Sequence, residues 1–282
     1  MTMLGRGKIQ QKLKQMVEAG CKYAVIETSS EGILQYRHLC LNYDIAVFTN
    51  LGTEHQERHG GFENLKRDKG KLFKELSKHK KIINGKKIEK VIVVNRDDKN
   101  ADYYLDFNAD KKIAYSMNGK QANSADVKGV IINSDELGSE FKIQNLPIGQ
   151  ASAKYKIQLA GKFNVYNALA AIAVGRSQNI SDEQIVKGLK SVEKVEGRME
   201  FIDQGQDFKV IVDYAHESLS LTELFHILRN ILDSDANKII AVIGSDGGGR
   251  DKDKREKIGQ IAGQMTDVVV VTDVNCFDED PK

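Results

Sequence analysis

Glu27 and His55 stand where two short apolar runs turn polar, and together they are suited to holding a hard divalent cation beside a phosphate. The run Tyr23–Ile26 delivers Glu27, Ser29 and Ser30; the run Ile45–Phe48 delivers Thr49, Asn50 and His55. If both runs are strands of an open parallel sheet, their carboxyl ends face the crevice where such sheets bind ligands. Mg²⁺ takes about six donors and keeps several waters and phosphate oxygens among them, so one carboxylate and one imidazole suffice from the protein. The plainer reading is also physical: loops are polar, Glu27 caps a helix, and His55 is a surface imidazole.

Other residues add to this inventory. Arg37 follows Ser29 by eight positions, and its planar fork suits a phosphate or carboxylate. Asn164 and Asn167 open a helical run, where Asn is also simply a good cap. The glycine-rich loop over 244–252 follows an apolar run and precedes a helical one. That is an anion-binding position, although glycine loops alone are weak evidence. No GxxxxGK[ST] phosphate loop occurs anywhere in the sequence.

Alternating helices and strands must position these side chains. Ile9, Leu13, Met16 and Val17 share one helical face, which Gly20 can terminate. The patterning predicts strands at 23–28, 45–49 and 90–94 and helices at 31–41 and 62–76, the last with Leu65, Leu72, Phe73 and Leu76 facing inward. This βαβ alternation implies a parallel sheet with right-handed crossovers. Short runs within 126–160 predict antiparallel strands added at the sheet edge, followed by helices at 164–175 and 182–190. After Gly197 the alternation restarts, with strands at 208–213, 238–243 and 268–272 and helices at 219–232 and 253–265. The fold class is α/β: a mostly parallel sheet with helices on both faces and an antiparallel extension, then a Rossmann-like region. The domain boundary falls between 196 and 197, giving domains 1–196 and 197–282.

Composition excludes several classes. The 42 basic and 40 acidic residues leave a net charge of +2, so no strong field draws nucleic acid or a membrane surface. Lysine runs such as 78–81 and 86–87 read as solvated faces. Cys21, Cys40 and Cys276 are too few and scattered for a disulfide framework and fit a reducing cytosol. No apolar run is long enough to span a bilayer, and the first residues carry no signal-peptide pattern. These features together predict a cytoplasmic protein.

Ordered motifs go further. ETSSEG (27–32), QYR (35–37) and VFTNLGTEH (47–55) resemble the central domain of the Mur ligases. GKFNVYNALAA (161–171), VEGRMEFI (195–202), VDYAH (212–216), and GRDKDKRE (249–256) leading to VVVTDVN (269–275) extend the resemblance over nearly the whole chain. Within that family the sequence is most similar to the tripeptide synthetases, which add the third residue of the peptidoglycan stem peptide. The resemblance implies an ATP-dependent amide-bond ligase that adds an amino acid to UDP-MurNAc-dipeptide through an acyl phosphate. ATP would be its co-substrate and Mg²⁺ its cofactor.

The resemblance also implies roles for single residues. Glu27 and His55 match magnesium-site residues. Lys69, in KRDKGKLF (66–73), matches a lysine that is carbamylated and so becomes an anionic metal ligand and catalytic group. That chemistry needs the free amine, scarce at an ordinary lysine pKa near ~10.4; the plain alternative is a solvated lysine on a basic helix face. Thr2, Ser29, Gln35 and Arg37 match contacts to UDP-MurNAc-dipeptide. Asn167 matches an adenine-side contact, Arg198 a hinge cation near the transferring phosphate, Asp213 a ribose contact and His216 a group at the phosphates.

The sequence departs from the family pattern in places. Met3 stands where a second threonine is usual, and Glu217-Ser218-Leu219 replaces Thr-Pro-Asp. Asn275-Cys276-Phe277 replaces a DNPR-type segment. The family carries its P-loop upstream of the position matched by Thr2, and its last domain continues beyond VTDxN. The sequence therefore reads as an internal piece or a split or truncated gene, inactive alone, with a separate chain as one source of the P-loop. Two other readings stay open: a folylpolyglutamate or cyanophycin synthetase-like ligase, and a non-catalytic relative that binds without turnover. The Ser29–Gln35–Arg37 pattern argues against the first; the missing P-loop favours the second for the isolated chain.

Overall fold

Strand β4 (Val91–Asn95) is buried at every position, the pattern of an inner strand covered on both faces. It pairs in parallel with β1 (Ile45–Phe48) on one side, Ile45 opposite Val91, and with β5 (Lys111–Ser116) on the other. These relationships come from a computed structural model that describes residues 3–52, 56–118, 126–135, 138–144, 154–232, 237–247, 252–277 and 279–280. The chain divides into two compact units. The first comprises 1–132, 140–155 and 163–189; the second comprises 133–139, 156–162 and 190–282.

The main sheet runs in the order β1-β4-β5-β6-β7-β8, with β6 at Val127–Asp135, β7 at Gly138–Gln144 and β8 at Lys154–Ile157. The sequence predicts an antiparallel extension, yet β6 joins β5 in parallel, Tyr115 opposite Val127. The reversal comes one strand later: β6 and β7 are sheet neighbours separated by two residues, and only an antiparallel hairpin closes so short a connection.

The helix Phe62–Leu76 forms as its 3.6-residue apolar period requires. It sets Leu65, Phe73 and Leu76 against Ala46 and Phe48 of β1, Ile92 and Val94 of β4, and Tyr104. The Phe48 and Tyr104 rings stack at 3.9 Å between centroids.

Three sequence expectations are corrected nearby. Residues 23–28 form no strand, and Val25 is 98% exposed. Among the described residues β1 has a strand on one side only, and this apolar run leaves its other edge unpaired. The helix expected over 31–41 stops at Leu34. Tyr36, Cys40 and Asn42 then take φ of 56°, 62° and 48°, left-handed values that no continuing helix contains. The helix Arg6–Glu18 does end in a Schellman turn at Gly20 (φ 75°), where the Cys21 N–H donates to Met16 O at 2.9 Å. Its apolar face, however, buries only Ile9 and leaves Val17 exposed.

The lysine-rich stretch hides a hairpin. Strands β2 (Lys81–Ile83) and β3 (Lys86–Ile88) pair antiparallel around Asn84-Gly85, both at positive φ as a type I′ turn demands. Lys81 is no idle surface charge; its Nζ lies 2.6 Å from Asp44.

In the second unit, β9 (Glu200–Ile202), which the sequence did not suggest, pairs antiparallel with β10 (Val210–Val212). Strands β11 (Ile240–Ile243) and β12 (Val268–Val271) pair in parallel. Helices Ser218–Ile231 and Lys252–Met265 pack Leu221, Phe225, Ile258 and Ala262 with Ala241. Among the described residues no helix is long and apolar enough to cross a membrane.

Candidate functional site

Ser29 caps the short helix Ser30–Leu34: its Oγ accepts the Gly32 N–H at 3.2 Å. Gln35 closes the same helix at its other end, and its side-chain oxygen accepts from the Arg37 guanidinium. The other arm of Arg37 donates to Met3 O. Gln35 and Arg37 thus meet at one end of this helix, and Ser29 caps the other. Met3 is buried, and its sulfur lies 2.4 Å from where a Cβ on Gly32 would stand, so this departure from the family pattern fills the space over the helix. Thr2 lies outside the described residues.

Glu27 is exposed, and among the described residues its carboxylate has neither hydrogen bond nor ion pair. His55 lies outside the described residues. Among those described, no three His, Cys, Asp or Glu side chains converge as a metal cluster. Lys69 is half-buried on the helix Phe62–Leu76. Its neighbour Asp68 is buried and takes His59 Nδ1 at 2.6 Å and Lys71 Nζ at 2.6 Å. Burial pushes Asp68 up, but the hydrogen bonds from His59 and Lys71 outweigh it and hold the carboxyl below its ordinary range. His38, beside Arg37, is also buried, and burial lowers its pKa and favours the neutral ring.

Asn167 is exposed in the first turns of the helix Lys162–Ser177, and its amide donates to Asn164 Oδ1 at 3.2 Å. The preceding residue, Tyr166, donates its hydroxyl to Asp97 at 2.8 Å. Sequence reasoning missed Asp97 and its neighbour Asp98, which accepts the Leu51 N–H at 2.9 Å. The available signal was two adjacent carboxylates just past the end of a fully buried strand.

In the second unit, two segments meet around Asp213. Its Oδ2 accepts the Met199 N–H at 2.7 Å and its Oδ1 the Ala215 N–H at 2.6 Å. Tyr214 N–H donates to Gly197 O at 2.7 Å. The Arg198 guanidinium sits 4.9 Å from the Tyr214 ring centroid, and His216 packs edge-on against the same ring at 4.7 Å. His216 Nδ1 is 2.8 Å from Tyr214 O. Arg198, Asp213 and His216 therefore form one constellation. At the departure after His216, Glu217 is the helix N-cap, its N–H donating to Ser220 Oγ at 3.2 Å.

A cavity of about 230 Å³ opens past the ends of β11 and β12, lined in part by Gly244, Ser245, Arg255, Asp273, Cys276 and Glu279. Part of the predicted anion loop, Gly244, Ser245 and Gly247, lines it; 248–251 are outside the described residues. Arg255 is committed to Glu279 at 2.7 Å and to Asp246 O at 3.2 Å.

Fold and side chains define a two-part α/β protein with polar groups gathered where its strands end. The family model for the Mur ligase middle domain matches residues 2–175, and that for the Mur ligase, glutamate ligase domain matches 197–282. The chain belongs to the Mur ligase family. It is 38% identical over 98% of its length to a UDP-N-acetylmuramyl-tripeptide synthetase of Roseiflexus sp. (strain RS-1), covering 52% of that protein. It is 36% identical over 97% of its length to a UDP-N-acetylmuramoyl-L-alanyl-D-glutamate--2,6-diaminopimelate ligase of Geobacillus kaustophilus, covering 53% of it. The chain thus spans about half the length of the curated relatives it matches. Among solved structures, MurF from Acinetobacter baumannii superposes with a TM-score of 0.65 at 23% identity, over 84% of this chain and 48% of that one. A folylpolyglutamate synthase of Mycobacterium tuberculosis reaches 0.66 at 17%, over 92% and 54%. These two likenesses speak to the fold.

Proposed function

We propose that this chain forms the central and following domains, divided at 196–197, of an ATP-dependent ligase of peptidoglycan precursor synthesis. It adds an amino acid to UDP-MurNAc-dipeptide. The observation that carries this reading is the identity, over nearly the whole chain, with a protein named UDP-N-acetylmuramyl-tripeptide synthetase. The substrate carboxylate takes the γ-phosphoryl group of ATP to give an acyl phosphate and ADP. The amine then attacks the acyl carbon and phosphate leaves, forming the amide.

Each residue has a part in that sequence of steps. Ser29, Gln35 and Arg37, with Thr2, hold the nucleotide-sugar dipeptide. Asn167 meets the adenine. Each Asp213 oxygen accepts one backbone N–H, and a carboxylate has about four acceptor sites, so Asp213 can still take a ribose hydroxyl. Arg198 faces the charge on the transferring phosphoryl group, with His216 beside it. Glu27, His55 and carbamylated Lys69 are the hard oxygen and nitrogen donors that suit Mg²⁺, and the uncommitted carboxylate of Glu27 fits that role. When bound, Mg²⁺ neutralises phosphate charge.

Because these 282 residues hold no GxxxxGK[ST], the β- and γ-phosphates are cradled by residues outside them, in the same protein or in a separate chain. The reaction belongs in the cytoplasm, and neither nucleic acid nor membrane is a partner. Calorimetric titration of the chain with UDP-MurNAc-dipeptide tests the reading. Saturable binding that Arg37→Ala weakens is expected; unchanged affinity in that variant, or tighter binding of a folate, overturns it.

A further inference from the structure

Asp97 gathers four donors from two places in the sequence. Its Oδ2 accepts Tyr166 OH at 2.8 Å, Met117 N–H at 2.7 Å and Asn118 N–H at 3.1 Å, and its Oδ1 accepts the hydroxyl of fully buried Ser116. About four acceptor sites is what a carboxylate offers, so Asp97 is close to saturated within the protein. Three donors fasten the segment that leaves β5. The fourth, Tyr166, is 69 residues distant in sequence and belongs to the first turns of the helix Lys162–Ser177. A helix buried on much of its surface is fixed in position by packing, but its rotation is set by specific side-chain contacts. Tyr166 is such a contact, and the next residue is the exposed Asn167.

We propose that Asp97 is a positioning residue for a purine nucleotide: through the Tyr166 hydroxyl it holds the helix turn from which Asn164 and Asn167, joined amide to Oδ1 at 3.2 Å, present the Asn167 amide to the base. An Asn amide matches adenine, whose N6 donates and N7 accepts, whereas guanine presents acceptors at both O6 and N7. The direction of Asn167 therefore governs discrimination between the two bases. This inference rests on the reading of Asn167 as the adenine-side contact.

The test is the ratio of ATP to GTP affinity of the 282-residue chain, measured by saturation-transfer NMR. It uses the wild type, Tyr166→Phe, Asp97→Asn, Asn167→Ala and the double variant Tyr166→Phe/Asn167→Ala. Phenylalanine deletes only the hydroxyl. Loss of a hydrogen bond to a charged group is worth roughly tenfold, and that is the fall in the ratio expected for Tyr166→Phe. The fall disappears in the Asn167→Ala background, because Tyr166 acts through Asn167. A purely structural role weakens both nucleotides alike, leaves the ratio unmoved and overturns the proposal. If Asn167→Ala lowers the ratio and Tyr166→Phe does not, the positioning fails while the reading of Asn167 stands. If the wild type shows no adenine preference, or Asn167→Ala leaves it intact, that reading fails and the inference with it.

Discussion

His59 Nδ1 lies 2.6 Å from an Asp68 carboxylate oxygen, with the two side chains 0% and 8% exposed. The contact closes a turn that passes through Gly60 and Gly61 at φ 70° and 116°, where glycine avoids the strain a Cβ would bring. It fastens that turn to the helix one residue before Lys69. Removing Asp68 leaves the buried His59 Nδ1 without its partner, and an unsatisfied buried polar group costs about 1–3 kcal/mol. Asp68→Ala is expected to lose that much in urea denaturation, and His59→Ala plus Asp68→Ala less than the sum of the two. A loss in Asp68→Ala no greater than that of an exposed surface change contradicts the role given to the pair.

The same pair sets a pH dependence. The folded Asp68 carboxyl titrates below its ordinary range, so the unfolded chain binds the proton more readily. The stabilisation is complete above the ordinary carboxylate pKa of about 4 and is lost as pH falls through the lower, folded-state value. The stability gap between wild type and Asp68→Ala should therefore hold from neutral pH down to about 4 and narrow below it. A gap that stays constant below that point removes Asp68 titration as the cause.

The isolated 282-residue chain is expected to show no substrate-dependent ATP hydrolysis or ligation. Without P-loop amides and lysine, the transferring phosphates lose their main cradle. Coupled-enzyme measurement of ADP release, with UDP-MurNAc-dipeptide and amino acid present, checks this. Release that Glu27→Ala abolishes would show that the chain needs no further part.

Lys69 is expected to be carbamylated only when metal and nucleotide phosphates are in place, since they favour the anion over the ordinary ammonium. ¹³C-labelled bicarbonate should give no carbamate signal on the isolated chain and a clear one on the assembled enzyme. In that enzyme Lys69→Ala should cut activity, with no rescue by bicarbonate. A stable carbamate on the chain alone contradicts the dependence on assembly.

The helix Phe62–Leu76 and strand β4 were readable from sequence because their apolar spacing answers to local geometry alone. Tyr23–Ile26 has the same apolar character as β1, and nothing local shows that one run finds a ladder and the other does not. The hairpin at Lys81–Ile88 was masked by lysines, although Asn84-Gly85 is a turn signal in its own right. Gln35 and Arg37 are close enough in sequence for their side chains to meet, while Ser29 caps the other end of the same short helix. The position of Asp97 past β4 was legible, but its partners were not, because one donor lies 69 residues away. The capture of Asp213 by backbone amides of Met199 and Ala215 was hidden for a related reason: it depends on two segments meeting.

The choice of amine is expected to favour lysine over meso-diaminopimelate. Recognition of a distal carboxylate calls for a free cation, best a guanidinium fork. Asn275, Cys276 and Phe277 stand where the family places that arginine. Among the described residues the cavity past β11 and β12 is lined by one guanidinium, Arg255, and it is held by Glu279 at 2.7 Å. Asp273 lines the same cavity. Among the described residues a distal carboxylate finds a guanidinium only by displacing Glu279 from Arg255, whereas a lysine side chain has no second carboxylate to pair. Leaving a charge unpaired on burial costs several kcal/mol; partial exposure reduces this, and a preference of about tenfold or more in kcat/KM is the expected result. Competition between the two amino acids in the complete enzyme measures it. Glu279→Gln should narrow the preference by freeing Arg255. A clear preference for meso-diaminopimelate in the wild type sinks the idea and places the selecting cation outside these residues.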